Sequence, residues 1–221
     1  MDITVDEAAT ASQVTADEGG TVPVPDAADA KRAVILDAAL GCFAQYGLKR
    51  TAMEDIANAA GMSRAALYLH YKNKRDIYRT LAQGYFDAVA TGVEAALQRG
   101  ASVGAALTAA FAAQASEAFE VLVNSPHGAC MIDDSDVECA DIISAGEAKI
   151  IGLYAAWLAQ EGAAGRVQLA AFGGADVVAS LMCAALHGVK KSSQSYAELQ
   201  ENAARLALVF GQALTAQGLA L

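Results

Sequence analysis

The sequence predicts an all-α protein in which a small N-terminal unit of three helices precedes a larger helical domain. Hydrophobic residues make up 55% of the 221 positions, and proline occurs only 3 times. Apolar residues recur at steps of three and four, with no strand-like alternation of useful length. Alanine-rich segments of this kind favour helix. The apolar content suffices for a core and excludes disorder of the whole chain.

Charge divides the chain into three segments, which we interpret as separate units. Residues 1–28 carry six acidic side chains and no basic one, without periodicity, and we predict a disordered tail. Residues 29–75 are predicted as one domain and residues 76–221 as a second. Up to residue 80 the middle segment has nine basic against five acidic residues, whereas the whole chain has a net charge of −10. A phosphate backbone would therefore meet only the middle segment favourably.

The N-terminal helices are predicted from their caps. The first helix spans about residues 29–46, and Gly47 is its C-terminal cap. The stretch Thr51-Ala52-Met53-Glu54 matches a capping box, so the second helix is predicted to begin at Thr51. Gly61 ends that helix, and Ser63 is a suitable N-cap for the third. Two helices joined by a tight turn of this kind predict a helix-turn-helix motif.

The third helix has a predicted inner and a predicted outer face. Leu67 and Tyr71, four residues apart, are expected to point inward. The major groove of DNA admits one helix, so the outer face is the predicted reading surface. Arg64 on that face can pair with guanine or contact a phosphate. The plainer alternative is a three-helix subdomain with a solvated face.

Two cations follow at the start of the next helix. Lys74 and Arg75 lie in its first turn, after a predicted Asn73 cap. Cations are unfavourable at this end of the helix dipole. A nearby phosphate would explain them, so we expect Lys74 to contact the DNA backbone.

Residues 31–80 resemble the DNA-binding domain of TetR-type transcriptional regulators. The most specific part is the stretch LYLHYKNK at residues 67–74. This resemblance implies a palindromic double-stranded DNA operator as partner. It also implies a C-terminal helical domain that binds a small-molecule effector and dimerises. The implied DNA-binding residues are Lys49, Thr51, Arg64, Ala65, Ala66, Tyr68, Leu69, His70 and Lys74, where Leu69 replaces an aromatic residue common in the family.

The second domain is predicted as a series of helices separated by Gly, Pro and Ser punctuation. Its last two helices carry rows of small residues four apart, which allow close helix approach. We predict a homodimer through these two helices, with burial inside one protomer as the alternative. The helices are predicted at about 74–99, 102–124, 128–133, 136–161, 168–190 and 194–218. The rows are Ala171, Ala175 and Ala179, and Ala203, Ala207 and Gly211, flanked by Leu206, Phe210 and Leu214.

An effector pocket is expected among the helices that span residues 81–165. Pockets are mostly apolar, so large apolar side chains are the candidates for its wall, although each could equally be plain core. The effector itself is unknown at this stage. The candidates are Phe86, Phe111, Phe119, Met131, Tyr154 and Trp157.

Four cysteines raise the question of metal or redox sensing. His127, Cys130, Asp133 and Cys139 could suggest a metal site or a sensing thiol. The alternative, which we favour, is a solvated helix boundary with cysteine as a small buried apolar residue. We therefore predict no metal and no cofactor.

The sequence contains no catalytic motif, and we predict that the protein is not an enzyme. The apolar run 170–189 contains Asp176 and His187, so we interpret it as a buried helix and not as a membrane span. No signal-peptide pattern is present, and a cytoplasmic location is expected. The predicted function is a sequence-specific DNA-binding transcriptional regulator, a repressor released by a small molecule. The alternative is a helical module that binds small molecules or proteins without binding DNA.

Overall fold

The structure is a computed structural model that describes residues 27–115, 120, 125 and 138–215. The predicted acidic tail, apart from its last two residues, lies outside this part of the chain. So do the predicted helix at 128–133, the pocket candidates Phe119 and Met131, and three members of the proposed metal group, His127, Cys130 and Asp133.

All regular structure in the described ranges is helical, as predicted. A single 3-10 turn, Ala170–Phe172, precedes the seventh helix. The α-helices of the described ranges are α1 (Ala27–Tyr46), α2 (Met53–Ala59), α3 (Arg64–His70), α4 (Lys74–Arg99), α5 (Val103–Gln114), α6 (Ala140–Ala163), α7 (Ala175–Ser192) and α8 (Tyr196–Thr215).

The N-terminal helices enclose a core of their own. Ile35 and Phe43 of α1, Ile56 of α2, Leu67 of α3 and Ile77 of α4 are all fully buried. They belong to one apolar cluster that is separate from the core of the rest of the chain. The first turns of α4 therefore close the helix-turn-helix unit before the helix continues into the second domain.

The C-terminal core is built from α4 to α8. Helix α5 packs between α4 and α8, and α6 packs against both α4 and α7. The buried side chains of α5 include Leu107 and Phe111, and α6 contributes Tyr154 and Leu158. The ring of Phe111 meets that of Tyr154 edge-on at a centroid distance of 6.0 Å.

The predicted helix at 168–190 is wrong over residues 168–174, because α7 begins only at Ala175. Gly173 and Gly174 both have positive φ values, of 87° and 97°, which interrupt the helix before Ala175. Gly174 N–H donates back to the Leu169 carbonyl at 3.1 Å, so the chain turns here. Two adjacent glycines make this conformation accessible, since other residues rarely adopt positive φ.

The prediction that the small-residue rows form a seam between protomers is corrected for Ala179 and for the row on α8. Ala171 and Ala175 are half-buried, and a dimer through α7 and α8 stays a prediction. Ala179, Ala203 and Ala207 are buried within a single chain. A Cβ atom on Gly211 would come within 3.2 Å of the Gly104 Cα atom, so this row lets α8 approach α5. The flanking residues Leu206, Phe210 and Leu214 likewise belong to, or pack on, the protomer's own core.

Helix α6 is long and apolar enough to span a bilayer by length and composition, with a mean hydropathy of 1.3 over its most apolar window. That test is weak, because core helices of globular proteins pass it as well. Here α6 places Ile150, Tyr154 and Leu158 in the C-terminal core. The buried part amounts to 22% of that window.

Candidate nucleic-acid interface and ligand-domain core

The turn between α2 and α3 is held by backbone hydrogen bonds around Gly61. Gly61 has a φ of 66°, and its N–H donates to the Asn58 carbonyl at 3.1 Å. Met62 N–H donates to the Ala57 carbonyl at 2.9 Å. The Ser63 hydroxyl accepts a hydrogen bond from Ala66 N–H at 3.1 Å, which confirms the predicted cap of α3. These contacts set the direction in which α3 leaves the turn.

Helix α3 has an anchored face and a free face, as predicted. Leu67 and Tyr71 are buried in the N-terminal core. Leu69 is 86% exposed and Tyr68 is 43% exposed. Arg64 and Ala65 are also exposed, while Ala66 and His70 are half-buried. The candidate reading residues therefore share one accessible surface, which we call the α3 face: Arg64, Ala65, Ala66, Tyr68, Leu69 and His70.

Arg64 is held on the α3 face by weak contacts. Its Nη2 lies 3.5 Å from the Tyr68 hydroxyl, and its Nη1 lies 3.5 Å from Glu54 Oε2. The guanidinium carbon also lies 5.6 Å from the centre of the Tyr68 ring. These neighbours raise the pKa of Arg64, with the Tyr68 hydroxyl contributing most, so the side chain is a permanent cation. Because these contacts are long, Arg64 can replace them with a hydrogen bond to a base edge or to a phosphate oxygen.

Thr51 does not have the role that the sequence predicted for it. The residue is 1% exposed, and its hydroxyl lies 2.9 Å from the Gly47 carbonyl and 3.3 Å from that of Cys42. A buried hydroxyl that points at carbonyl oxygens is turned away from any phosphate, so the predicted phosphate contact is corrected. The capping box is corrected too, because α2 begins after Ala52, whose N–H donates to Asp55 Oδ2 at 2.7 Å.

Lys74 joins α4 to the connection between α1 and α2. Its Nζ donates to the carbonyls of Lys49 and Thr51, each at 2.9 Å. Arg75 Nε lies 2.5 Å from Glu138 Oε2. Both cations therefore have partners within the chain, and no phosphate is needed to explain why they lie in the first turn of α4. Lys49 itself is exposed beside this contact and stays a candidate for backbone binding.

The sequence of this region matches a known family. Residues 35–81 match the profile described as "Bacterial regulatory proteins, tetR family". The N-terminal domain of this chain belongs to the tetR family. The HTH-type transcriptional regulator AcrR of Shigella flexneri is 48% identical over 44 residues, which is 20% of this chain and 20% of that protein. The match to this curated relative thus spans about a fifth of its length.

Solved structures with a similar fold cover most of this chain, including the C-terminal domain. A transcriptional regulator from Cytophaga hutchinsonii superimposes with a TM-score of 0.67, covering 85% of this chain and 100% of that one, at 21% identity. SmeT, the repressor of the Stenotrophomonas maltophilia multidrug efflux pump SmeDEF, gives a TM-score of 0.63 over 86% of this chain and 93% of its own, at 22% identity. The arrangement of helices in the C-terminal domain is therefore shared with these proteins.

The described pocket candidates lie in or against one core. Phe111 and Tyr154 are fully buried, and Phe86 and Trp157 pack against the same cluster. Sequence reasoning missed Gln114, whose Nε2 donates to the Tyr154 hydroxyl at 2.8 Å. Its signal was a large polar residue at the end of the mostly apolar stretch VGAALTAAFAAQ.

Further polar groups lie near this pair. The Tyr85 hydroxyl is 3.4 Å from the Gln114 carbonyl, and Lys190 Nζ is 3.0 Å from the Tyr85 hydroxyl. Burial raises the pKa of Tyr154 well above its ordinary value and the pKa of Cys183 to about 11, so both groups are neutral at physiological pH. A polar group of a bound molecule could hydrogen-bond here within apolar surroundings.

Residues that could hold a metal do not come together in the part of the chain that is described. Cys139, one member of the predicted group, is fully buried in the N-terminal core. Burial is the main cause that raises the pKa of its thiol, which is therefore neutral. It packs as a small apolar residue, in keeping with the interpretation favoured from the sequence.

Proposed function

We propose that this protein is a sequence-specific DNA-binding transcriptional regulator, a repressor that leaves its operator when a small molecule occupies the C-terminal domain. The α3 face carries the proposal. It presents Arg64 and Tyr68 on an accessible helix whose opposite side is anchored in the core. It belongs to a domain of the tetR family. Such a helix can enter a major groove and read base edges.

The test is DNA binding by the full chain to a palindromic duplex selected from random sequence. We expect binding that weakens steeply with salt, because phosphate contacts release counterions. The double variant Arg64→Ala/Tyr68→Ala should lose selectivity for that duplex. Arg166→Ala is the matched control, since Arg166 is an exposed arginine outside the α3 face that pairs with Glu161. Equal selectivity of the wild type and the double variant would contradict the assignment of the α3 face as the reading surface. Absence of salt-sensitive binding by the wild type would favour the alternative, a helical module without DNA binding.

A homodimer is part of the proposal, with a surface different from the predicted rows. Four large apolar side chains on α7 and α8 remain 46–62% exposed in one chain. Pairing with a second copy would bury them and present two reading helices to a two-fold symmetric site. Sedimentation should show a dimer, and Leu181→Glu/Leu208→Glu should produce monomers, with Leu69→Glu as the control for an exposed leucine elsewhere. The four residues are Val177, Leu181, Leu208 and Val209.

The effector is proposed to bind in the C-terminal core beside Tyr154. Support comes from the buried polar pair of Gln114 and Tyr154 in apolar surroundings. SmeT, a structural neighbour, has been solved as a complex with triclosan, an example of a small molecule bound by a protein of this fold. Apolar compounds that carry one hydrogen-bonding group should raise the melting temperature of the wild type more than that of Tyr154→Phe. We also propose a cytoplasmic location, because a protein that binds an operator must reach the DNA of the cell.

A further inference from the structure

Four basic side chains of the N-terminal domain are exposed around the α3 face. Lys49 and Arg50 lie in the connection between α1 and α2. Arg64 is the first residue of α3, and Lys72 lies just beyond its end. Lys74 Nζ donates to the Lys49 carbonyl at 2.9 Å, so the connection before α2 touches the one after α3. Helix α3 spans only roughly 10 Å at the helical rise, so one extended anion can contact both of its ends. We call these four residues the cationic surface: Lys49, Arg50, Arg64 and Lys72.

The acidic side chains near the cationic surface are mostly engaged elsewhere. Asp55 and Asp76 accept hydrogen bonds from backbone N–H groups, at 2.7 Å and 3.3 Å. Glu54 lies 3.5 Å from Arg64, which is a long contact for an ion pair. Lys72 is exposed and pairs with no acidic side chain in the described ranges. The cationic surface can therefore bind further anions.

The acidic tail is the part of this chain whose charge fits the cationic surface. Residues 1–26 precede α1 and contain six carboxylate side chains and no basic one. A segment of this length spans at most roughly 90 Å, about three times the length of α1, so it can reach any point of the N-terminal domain. Because the tail is covalently joined to α1, its contact with the domain is intramolecular, at an effective concentration on the order of millimolar. The six residues are Asp2, Asp6, Glu7, Asp17, Glu18 and Asp26.

The distribution of charge favours the N-terminal domain over the C-terminal domain as the docking site. Residues 29–80 have nine basic and five acidic side chains, a net charge of +4. Residues 81–221 have six basic and fourteen acidic side chains, a net charge of −8. A segment with six negative charges is attracted by the first and repelled by the second. Screening limits this attraction to about 8 Å at physiological salt, so the tail must lie directly on the cations to be held there.

We propose that the acidic tail docks on the cationic surface of its own chain and competes there with DNA. The competition rests on the proposed function, whereas the docking does not. Carboxylates and phosphates are both anionic acceptors for arginine and lysine, so the tail occupies positions that DNA phosphates need. Binding of any duplex then requires an uncovered surface, and the apparent affinity falls in proportion to the uncovered fraction. The tail therefore weakens binding to all duplexes without changing the preference for one sequence.

The first experiment needs no DNA and uses cross-linking of the full chain. A water-soluble carbodiimide joins a carboxylate to an amine that touches it, and mass spectrometry locates the links. We expect links from the tail to Lys49 and Lys72, and few to Lys149 and Lys191, which are exposed in the C-terminal domain. The links should decrease at about 1 M salt, where the screening length is roughly 3 Å. Mixing with isotope-labelled chain distinguishes links within one chain from links between two chains.

The second experiment measures the affinity for duplex DNA by fluorescence anisotropy. A neutral-tail variant, in which three of the six carboxylates become amides, should bind a random duplex about fivefold more tightly than the wild type. A gain of this size is expected if the intact tail covers the cationic surface about four-fifths of the time. The duplex selected by the wild type should gain by the same factor. A control variant removes the same charge from exposed sites on α4 and α6 and should gain much less. The neutral-tail variant is Glu7→Gln/Asp17→Asn/Glu18→Gln, and the control is Asp87→Asn/Glu94→Gln/Glu147→Gln.

An equal gain in the control would show that net charge alone weakens DNA binding, and it would overturn the proposal. Links that favour Lys149 and Lys191, or that form only between labelled and unlabelled chains, would overturn it as well. If neither the wild type nor the neutral-tail variant binds a duplex, the proposed function fails. The cross-linking experiment then still decides whether the tail lies on the cationic surface.

Discussion

Gln114 and Tyr154 form a buried hydrogen bond between α5 and α6, 2.8 Å from Nε2 to the hydroxyl oxygen. Both side chains lie in a cluster that is otherwise almost wholly apolar. An unmatched polar group in such a place costs considerably more than a satisfied one. The pair therefore fixes the relative register of two helices next to the proposed effector site.

Removal of one partner of this pair should destabilise the protein more than removal of both. Tyr154→Phe leaves the Gln114 amide buried without an acceptor, at an expected cost of about 1–3 kcal/mol. The double variant Gln114→Leu/Tyr154→Phe should recover much of that loss. Urea unfolding of the three proteins measures the difference. Losses that simply add would show that the two groups act independently.

Gly146 should not tolerate alanine, because Phe86 occupies the space. A Cβ atom at Gly146 would lie 2.3 Å from the Cγ and Cδ1 atoms of the Phe86 ring and 2.8 Å from its Cβ. Gly146→Ala is expected to destabilise the chain by about 1–3 kcal/mol through overpacking. Gly152→Ala on the same helix has no atom within 4 Å and should stabilise by about 0.5–1 kcal/mol. Thermal unfolding of both variants, with Phe86→Leu as a rescue of Gly146→Ala, tests the contact.

Gly61 is required for its backbone conformation and not for space. Its φ is 66°, and a Cβ atom there would have no neighbour within 4 Å. Gly61→Ala should therefore cost about 1–2 kcal/mol from the left-handed conformation alone. Gly41→Ala in α1, which also has open space but a helical backbone, is the matched comparison and should stabilise. If Gly61→Ala has the same free energy of unfolding in denaturant as the wild type, the turn between α2 and α3 can change its backbone conformation to accept alanine.

The contribution of Asp141 to stability should disappear in acid. Arg79 is the main cause that lowers the pKa of Asp141 to about 2, below its unfolded value. A carboxyl group whose pKa is lowered by folding stabilises above its unfolded pKa and loses that effect as the pH falls through its folded pKa. Asp141→Asn should thus unfold more easily than the wild type at pH 7, with a difference that shrinks from about pH 4 towards pH 2. Denaturant titrations across this pH range measure how the difference in free energy of unfolding changes, with Asp87→Asn as the comparison. A difference that stays constant down to pH 2 would contradict the lowered pKa of Asp141.

Local sequence rules were sufficient for the turn and the third helix of the N-terminal domain. The start of α3 at Ser63, the break at Gly61 and the inward direction of Leu67 and Tyr71 follow from capping, glycine and helical spacing. They failed at Thr51, where a hydroxyl near a helix start resembled a cap but is buried against the carbonyl oxygens of Cys42 and Gly47. Which of two partners a hydroxyl chooses depends on residues that only folding brings near.

By itself, the sequence determined the all-helical class, the helix-turn-helix motif and the membership of its domain in the tetR family, because caps and periodicity act within a few residues. Tertiary structure alone decided which faces are covered. It buried the row of Ala203, Ala207 and Gly211 against α5. It also brought Arg79 to Asp141, 62 residues away along the chain, and placed Cys139 in the other domain's core. The physical reason is that helical periodicity specifies that a face is apolar or charged, whereas the partner of that face is fixed only by the packing of all helices together.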